Sequence, residues 1–354
     1  MAEDVIGMIG YGRFGRALGQ LLAEGGVPHR AYDPHAVVPD DVAAHSLASL
    51  VEGATFVVLA VPVPQMRAAA AELRPHLRPS QIVFDVGSVK VRPAAALREA
   101  LGDGVAWCGT HPLFGPVSLA RAERPMRAVL CPAPAHLAAA AEVRRLFERI
   151  GCEVIEQTPD GHDRVMALTH ALTFFVAKGM LDVGAGGEVP FAPPSFQAIA
   201  RTIETVRSDG GHLFQAIARD NPFASEARKH LIQALGDIDR ALDAQAAEGP
   251  EATGDVGPLA IPDLGQHSPE LKQARDTIDS IDHQLVALLA QRSQLQQRAA
   301  RAKAAMGAPV LDAARESDMM ATRRGWANEQ KLDVDGVMEV FRAVLVMSRR
   351  AQSA

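Results

Sequence analysis

From Val5 to Ile9 the chain is apolar, and it then runs directly into a glycine-rich turn. Unbroken apolar runs return at Thr55 to Val61 and Ile82 to Val86, with a further strand at Arg127 to Cys131. Such runs mark strands buried on both faces of a sheet. Between them lie Ala- and Leu-rich stretches with helical spacing, the first through Leu18, Leu21 and Leu22 and ending at Gly25-Gly26. Strands alternating with helices predict an α/β doubly wound Rossmann domain. Its expected extent is residues 1–158.

The periodicity then changes. Residues 159–248 read as an all-helical domain whose densest apolar segment is Met166 to Phe175. No apolar run is expected to reach membrane-spanning length. Residues 249–267 are rich in Gly, Pro and acidic side chains, the composition of a linker. In 268–354 the residues Ile278, Ile281, Leu285, Leu288, Leu289 and Leu295 keep helical spacing along one long helix, which Gly307-Ala308-Pro309 ends. A second helix is expected from about Ala313 and a third from Asp335, making an all-α C-terminal module.

Length and composition add limits. A chain of 354 residues with 48% hydrophobic content supplies two or three cores. The net charge of −6, with no basic stripe, argues against nucleic acid and for small-molecule partners. The three cysteines, Cys108, Cys131 and Cys152, form no C-x-x-C pair, and no histidine spacing resembles a metal site. Scattered thiols and an acidic N-terminus without a signal pattern indicate a soluble, cytoplasmic protein, with no membrane partner.

Candidate chemistry begins at Gly10-Tyr11-Gly12-Arg13-Phe14-Gly15. The fingerprint follows a strand, opens a helix, and has Asp33 at the end of the next strand. In that context Gly10 allows the tight turn, Gly12 lets backbone approach a pyrophosphate, and Gly15 lets helix pack on strand. Asp33 would accept from ribose hydroxyls and repel a 2′-phosphate, so the expected cofactor is NAD rather than NADP. Arg13 and Phe14 in the loop, with Val61 and Pro62 at the end of the third strand, complete the expected cofactor-binding set. Two more segments, Asp85 to Lys90 and Gly109 to Pro116, sit where strand ends deliver side chains to such a cofactor. His111, fixed by Pro112, is either an acid-base group beside the nicotinamide or a satisfied structural histidine.

The last 87 residues place Arg275, Arg292, Lys303, Asp312, Arg315, Glu316, Ser348 and Gln352 along three helices. Cations on core-facing positions are costly unless paired, and a small dianion would pair them. Arg292 and Lys303 lie about 16 Å apart on one helical face, so their side chains can converge on one ligand. Arg275 lies about 25 Å from Arg292, too far for one ring-sized molecule to touch both. If all three serve one site, Arg275 comes from a second protomer, so the spacing predicts a homodimer with shared sites. The plain alternative is a salt-bridged helical hairpin.

These segments resemble known families. The glycine loop, Asp85-Val86-Gly87-Ser88-Val89-Lys90 and His111-Pro112-Leu113-Phe114-Gly115-Pro116 look like prephenate dehydrogenase over about residues 5 to 240. That resemblance implies that His111 hydrogen-bonds the substrate's ring hydroxyl, and that Ser88 orients the nicotinamide and the histidine. It also implies a second histidine in the first long helix, where Phe174 stands instead with His170 one turn earlier. A carboxylate-gripping arginine is implied where Ala216 stands, with Arg219 one turn later. The pattern from Leu271 to Gln352 is similar to the all-helical class of chorismate mutase. There the resemblance implies that Arg275 from the partner and Arg292 hold two carboxylates. Lys303 and Gln352 would bond the ether oxygen, while Glu316 and backbone near Asp312 would take the ring hydroxyl. Arg315 would support the pocket and Ser348 add a carboxylate contact. A glutamine at 352 donates at any pH, so mutase activity is expected to persist into mildly alkaline solution. Together these imply a bifunctional enzyme taking chorismate to prephenate and on to 4-hydroxyphenylpyruvate. Two alternatives stand: a dehydrogenase acting on arogenate or an amino analogue of prephenate, or C-terminal helices that serve only dimerisation.

Overall fold

A computed structural model describes residues 4–123, 125–185, 191–209, 212–248, 270–306 and 313–353; the expected 249–267 linker lies outside them. Two compact units divide the chain, one of Met1–Pro116 with Pro125–Asp263, the other of Val117–Arg124 with Leu264–Ala354.

The first unit is built on a seven-stranded sheet ordered β2-β1-β3-β4-β5-β6-β7. The strands are β1 (Ile6–Ile9), β2 (His29–Tyr32), β3 (Phe56–Leu59), β4 (Ile82–Asp85), β5 (Ala106–Pro112), β6 (Met126–Pro132) and β7 (Cys152–Glu156). β1 and β3 are buried at every position, as their unbroken apolar runs require. β1 to β5 pair in parallel, with helical crossovers between them. Order reverses between β1 and β3, and that switch point opens a crevice at the strands' C-terminal ends.

One strand, β7, was not foreseen, and of β5 only the end around His111 was expected. β5 is broken in sequence by Gly109 and by the polar pair Thr110-His111, and β7 is an edge strand of alternating character. β6 runs antiparallel to β5, pairing His111 with Val129. The connection from Pro112 to Met126 holds only the short helix Pro116–Ala120, too little for a crossover back to a parallel strand. Because β5 itself runs parallel to β4, its end carries the His111 segment to the sheet's C-terminal edge.

Helices follow. Pro159–Met166, the π-helical turn Ala167–Ala171 and Leu172–Asp182 join into one rod. By length and composition this rod is apolar enough to cross a membrane, which corrects the expectation that no run approaches that length. The dense segment from Met166 to Phe175 is only the middle of this rod, which continues on both sides of the π turn. Phe174 and Ala177 of the rod pack with Ile203, Val206 and Ile217 in a small core. A second π turn, Ala216–Asp220, packs against the first.

The second unit holds the helices Glu270–Ala305, Ala313–Glu329 and Val334–Ser353. The third helix packs against both others.

Candidate active sites

The glycine turn joins β1 to helix Arg13–Glu24. Gly10 has φ +95°, and a Cβ there would meet the Ala60 carbonyl oxygen at 2.6 Å and Val61 N at 3.2 Å. Only glycine fits that contact with the segment leading to Val61 and Pro62. A Cβ on Gly15 would collide with the Gly10 carbonyl, which keeps helix and turn in close contact. Gly12 faces open space at the helix N-terminus, a place where backbone N–H groups favour an anion.

Asp33 follows β2, and its carboxylate accepts from Tyr11 N–H at 2.7 Å, His35 N–H at 2.8 Å and Ala36 N–H at 3.0 Å. Burial opposes its ionisation, but these three donors win and hold its pKa below the ordinary value. A carboxylate offers about four lone-pair sites, so capacity remains for a ligand hydroxyl. Arg13 and Phe14 open the helix, and the Phe14 ring lies 6.4 Å from that of Phe114. That contact brings the nucleotide turn beside the His111 segment.

The loop after β4 is held by a buried ion pair, Lys90 to Asp85, at 1% and 0% side-chain exposure. Asp85 also accepts from the N–H groups of Gly87 and Thr110. Removing one partner of such a pair costs about 3–5 kcal/mol. Asp85 and Lys90 thus pin β4 to β5, and Ser88 sits half-buried between them.

His111 is buried on β5, and burial, followed by the neighbouring His162, Lys90 and His170, pushes its pKa well down. At neutral pH it is an uncharged imidazole. Its Nδ1 lies 2.8 Å from Nε2 of His162, whose Nδ1 lies 2.7 Å from Oδ1 of Asp163. The His170 ring stacks over His111 at 6.2 Å and 13°, and Phe174 meets His170 edge-on at 5.0 Å. His111, His170 and Phe174 are therefore brought together, with His170 on the π turn. Among the described residues, Ser88 makes no hydrogen bond to His111, whose Nδ1 His162 occupies.

Arg219 lines a cavity of about 700 Å³ with Arg92, Arg228, Phe175 and Phe214. Its guanidinium is 3.8 Å from Asp220, whose stronger partner is Arg92 at 2.7 Å.

In the second unit Arg292 donates to Ser348 Oγ at 2.8 Å and to Gln296 Oε1 at 2.9 Å. Ser348 is buried, and its hydroxyl donates to the Val344 carbonyl. Glu316 accepts from Arg349 at 2.7 Å. Arg323, unremarked in the sequence, stacks over Trp326 and Phe341, and its Nε is buried without a partner. Burial, and then Arg323, lower the Arg292 pKa. Lys303 and Arg315 lie on the first and second helices. Arg275 and Gln352 lie on the first and third helices, with side chains outside the described residues, and Asp312 lies wholly outside them.

A doubly wound sheet with a phosphate-type turn, set against a buried neutral histidine, is the architecture of a nucleotide-dependent dehydrogenase. Residues 36–156 match the prephenate dehydrogenase nucleotide-binding domain, and residues 274–353 match chorismate mutase type II. The 4-amino-4-deoxyprephenate dehydrogenase of Streptomyces pristinaespiralis is 32% identical over 214 residues, 58% of this chain and 68% of that protein. The chain belongs to the prephenate dehydrogenase family, with a chorismate mutase segment fused at its C-terminal end. A probable arogenate/prephenate dehydrogenase of Methanocaldococcus jannaschii is 26% identical over 202 residues, 55% of this chain but only 45% of its own length. The chain thus spans about half of that relative. The prephenate dehydrogenase of A. aeolicus, solved with hydroxyphenyl propionate and NAD+, shares the fold at 21% identity and a TM-score of 0.56. That superposition covers 70% of this chain and 93% of the other.

Proposed function

We propose that the chain rearranges chorismate to prephenate in its C-terminal unit and oxidatively decarboxylates prephenate to 4-hydroxyphenylpyruvate, with NAD, in the other. The observation that carries the oxidative half is a buried, neutral His111 held beside the nucleotide turn. Bound NAD would lie with its pyrophosphate at Gly12 and its ribose on Asp33, and would supply the acceptor for the hydride leaving ring carbon 4. As that carbon takes on carbonyl character, His111 Nε2 accepts the hydroxyl proton. Loss of carbon dioxide from carbon 1 sends its electron pair into the ring, and the phenolate oxygen recovers the proton. Aromatisation drives the step, so the protein mainly orients substrate and moves one proton. Ser88 borders this site on the β4 side and His170 covers the imidazole.

For the rearrangement, Arg292 with Ser348 binds one carboxylate and Arg275 of a second protomer binds the other. Lys303 and Gln352 stabilise the ether oxygen as its bond to carbon breaks, Glu316 and backbone near Asp312 take the ring hydroxyl, and Arg315 supports the pocket. Orientation and preorganised charge are all a pericyclic reaction needs. The exposure of Ile278, Ile281, Leu285 and Leu288 of the first helix within one chain supports a homodimer. We place the enzyme in the cytoplasm, where three free buried thiols remain reduced.

A second reading of the dehydrogenase has a specific support. Phe174 and Ala216 stand where a histidine and an arginine are expected, and the S. pristinaespiralis relative is named for the 4-amino analogue of prephenate. Arogenate is the other candidate. The test is to supply purified full chain with chorismate, with and without NAD, following chorismate loss and reduced-cofactor absorbance. NADH appearing with 4-hydroxyphenylpyruvate supports the first reading. Prephenate accumulating without NADH, with NADH restored by arogenate or the amino analogue, supports the second.

A further inference from the structure

We propose that His162 and Asp163 are positioning residues that fix the proton-accepting tautomer of His111 and share the positive charge it gains during oxidation. This rests on the reading of His111 as the group that meets the substrate's ring substituent.

The chain of contacts starts at a helix end. Asp163 accepts from Lys90 N–H at 2.7 Å and Val91 N–H at 2.9 Å, where helix Val91–Leu101 begins. Unpaired N–H groups and the helix dipole hold a negative charge there. The backbone carbonyl of Asp163 accepts from Asn221 Nδ2 at 2.8 Å, which ties the residue to the helical half of the unit. Asp163 and His162 are 0% and 2% exposed, so neither takes a partner from water.

Donor and acceptor roles follow in order. An acceptor-only carboxylate requires a hydrogen on Nδ1 of His162. In the proposed tautomer that is the one ring hydrogen of His162, so its Nε2 offers a lone pair, which requires a hydrogen on Nδ1 of His111. That leaves the Nε2 of His111 with a free lone pair, the atom a base must present. The tautomer is thus set two residues away, by Asp163. When His111 takes a proton at Nε2, its Nδ1–H bond to His162 shortens and the Asp163 charge acts through the middle ring. The other titratable groups facing His111 are His170, whose ring is stacked on it, and Lys90, which is paired with Asp85. Asp163 is therefore the carboxylate that can offset an imidazolium at this place among the described residues.

A structural role alone would predict a loss of stability and no more. The tests separate the two with the full chain. His162→Leu deletes the acceptor for His111 Nδ1, whereas His162→Gln keeps an oxygen near it. We expect His162→Leu to lower dehydrogenase kcat about a hundredfold with KM changed by less than about twofold, and His162→Gln to recover at least about tenfold of the loss. Unchanged NAD binding by the same samples reports that the unit carrying His162 is folded. Nitrogen-15 NMR of histidine-labelled wild type should show His111 protonated at Nδ1 and bare at Nε2. A bare Nδ1 in wild type overturns the proposal even if the leucine variant fails to fold. So does full kcat in His162→Leu. His111→Asn separates the two readings: if it keeps activity, the reading of His111 fails first. If it loses activity while His162→Leu does not, only the present inference fails.

Discussion

Met8, Val57, Val58 and Leu59 of the sheet are wholly buried within one chain, whereas Ile278, Ile281, Leu285 and Leu288 of the C-terminal unit are 49–58% exposed. The same contrast runs through the polar groups. His111 is neutral, buried, and ends a hydrogen-bonded chain that closes on Asp163. Arg292 keeps its charge at some cost in desolvation, with neutral Gln296 and Ser348 as its described acceptors and Arg323 as a like-charged neighbour. One site is made ready by its own chain. The other leaves a cation on neutral acceptors and an apolar stripe exposed within one chain. The difference follows from topology, since a sheet covered by helices buries its strands internally, while a three-helix hairpin lacks a second layer.

The sharpest test of that independence is to damage each site and read both activities. Arg292→Ala should lower mutase turnover at least about a thousandfold and leave dehydrogenase turnover within about twofold, because a charged contact made in the transition state is lost. His111→Asn should do the reverse, with an effect of about a hundred- to ten-thousandfold. Loss of both activities from either change would break the contrast.

If the C-terminal unit needs a second copy, two dead variants should rescue each other. Mixing Arg275→Ala with Arg292→Ala chains should restore roughly a quarter of wild-type mutase activity, since half the dimers are mixed and each carries one intact shared site. Mixtures that stay inactive while exchanging subunits would refute a shared site. A milder change, Leu288→Glu on the exposed stripe, should make mutase activity fall on dilution while NAD binding by the other unit persists. Activity followed from micromolar to nanomolar protein reads this directly.

How far the sequence revealed these sites depended on distance along the chain. The glycine turn and Asp33 were legible because the fold brings neighbours in sequence together in space. β1, β3 and β4 were legible for their unbroken apolar runs. His162 was not: it sits in Thr158-Pro159-Asp160-Gly161-His162-Asp163, which reads as an acidic helix start, and its partner is 51 residues away on β5. A histidine-aspartate pair just inside a capped helix was the available signal, and nothing local says that it is buried. Arg323 was missed for a similar reason. With Arg324 beside it, it reads as a solvated face, yet its guanidinium lies over the rings of Trp326 and Phe341. The reversed β6 was hidden because strand direction depends on the length of a connection, not on the strand's own pattern.

The smallest expected effect concerns pH. A histidine whose pKa is lowered on folding binds fewer protons in the native state than in the unfolded one. Between the unfolded value of about 6.5 and the lower folded value, stability therefore rises with pH and is lost as pH falls. His111 contributes nothing to this slope above that window. Thermal melting of the first unit at pH 7.5 and 5.5 should show a lower midpoint in acid, and a smaller difference in His111→Gln, which cannot titrate. The same direction applies to catalysis: dehydrogenase kcat should stay level to below pH 6.5, because a base already neutral there has nothing to lose. A kcat that halves near pH 6.5 would mean that His111 titrates as an ordinary exposed histidine, and the enclosure that distinguishes this site from that of Arg292 would not hold in solution.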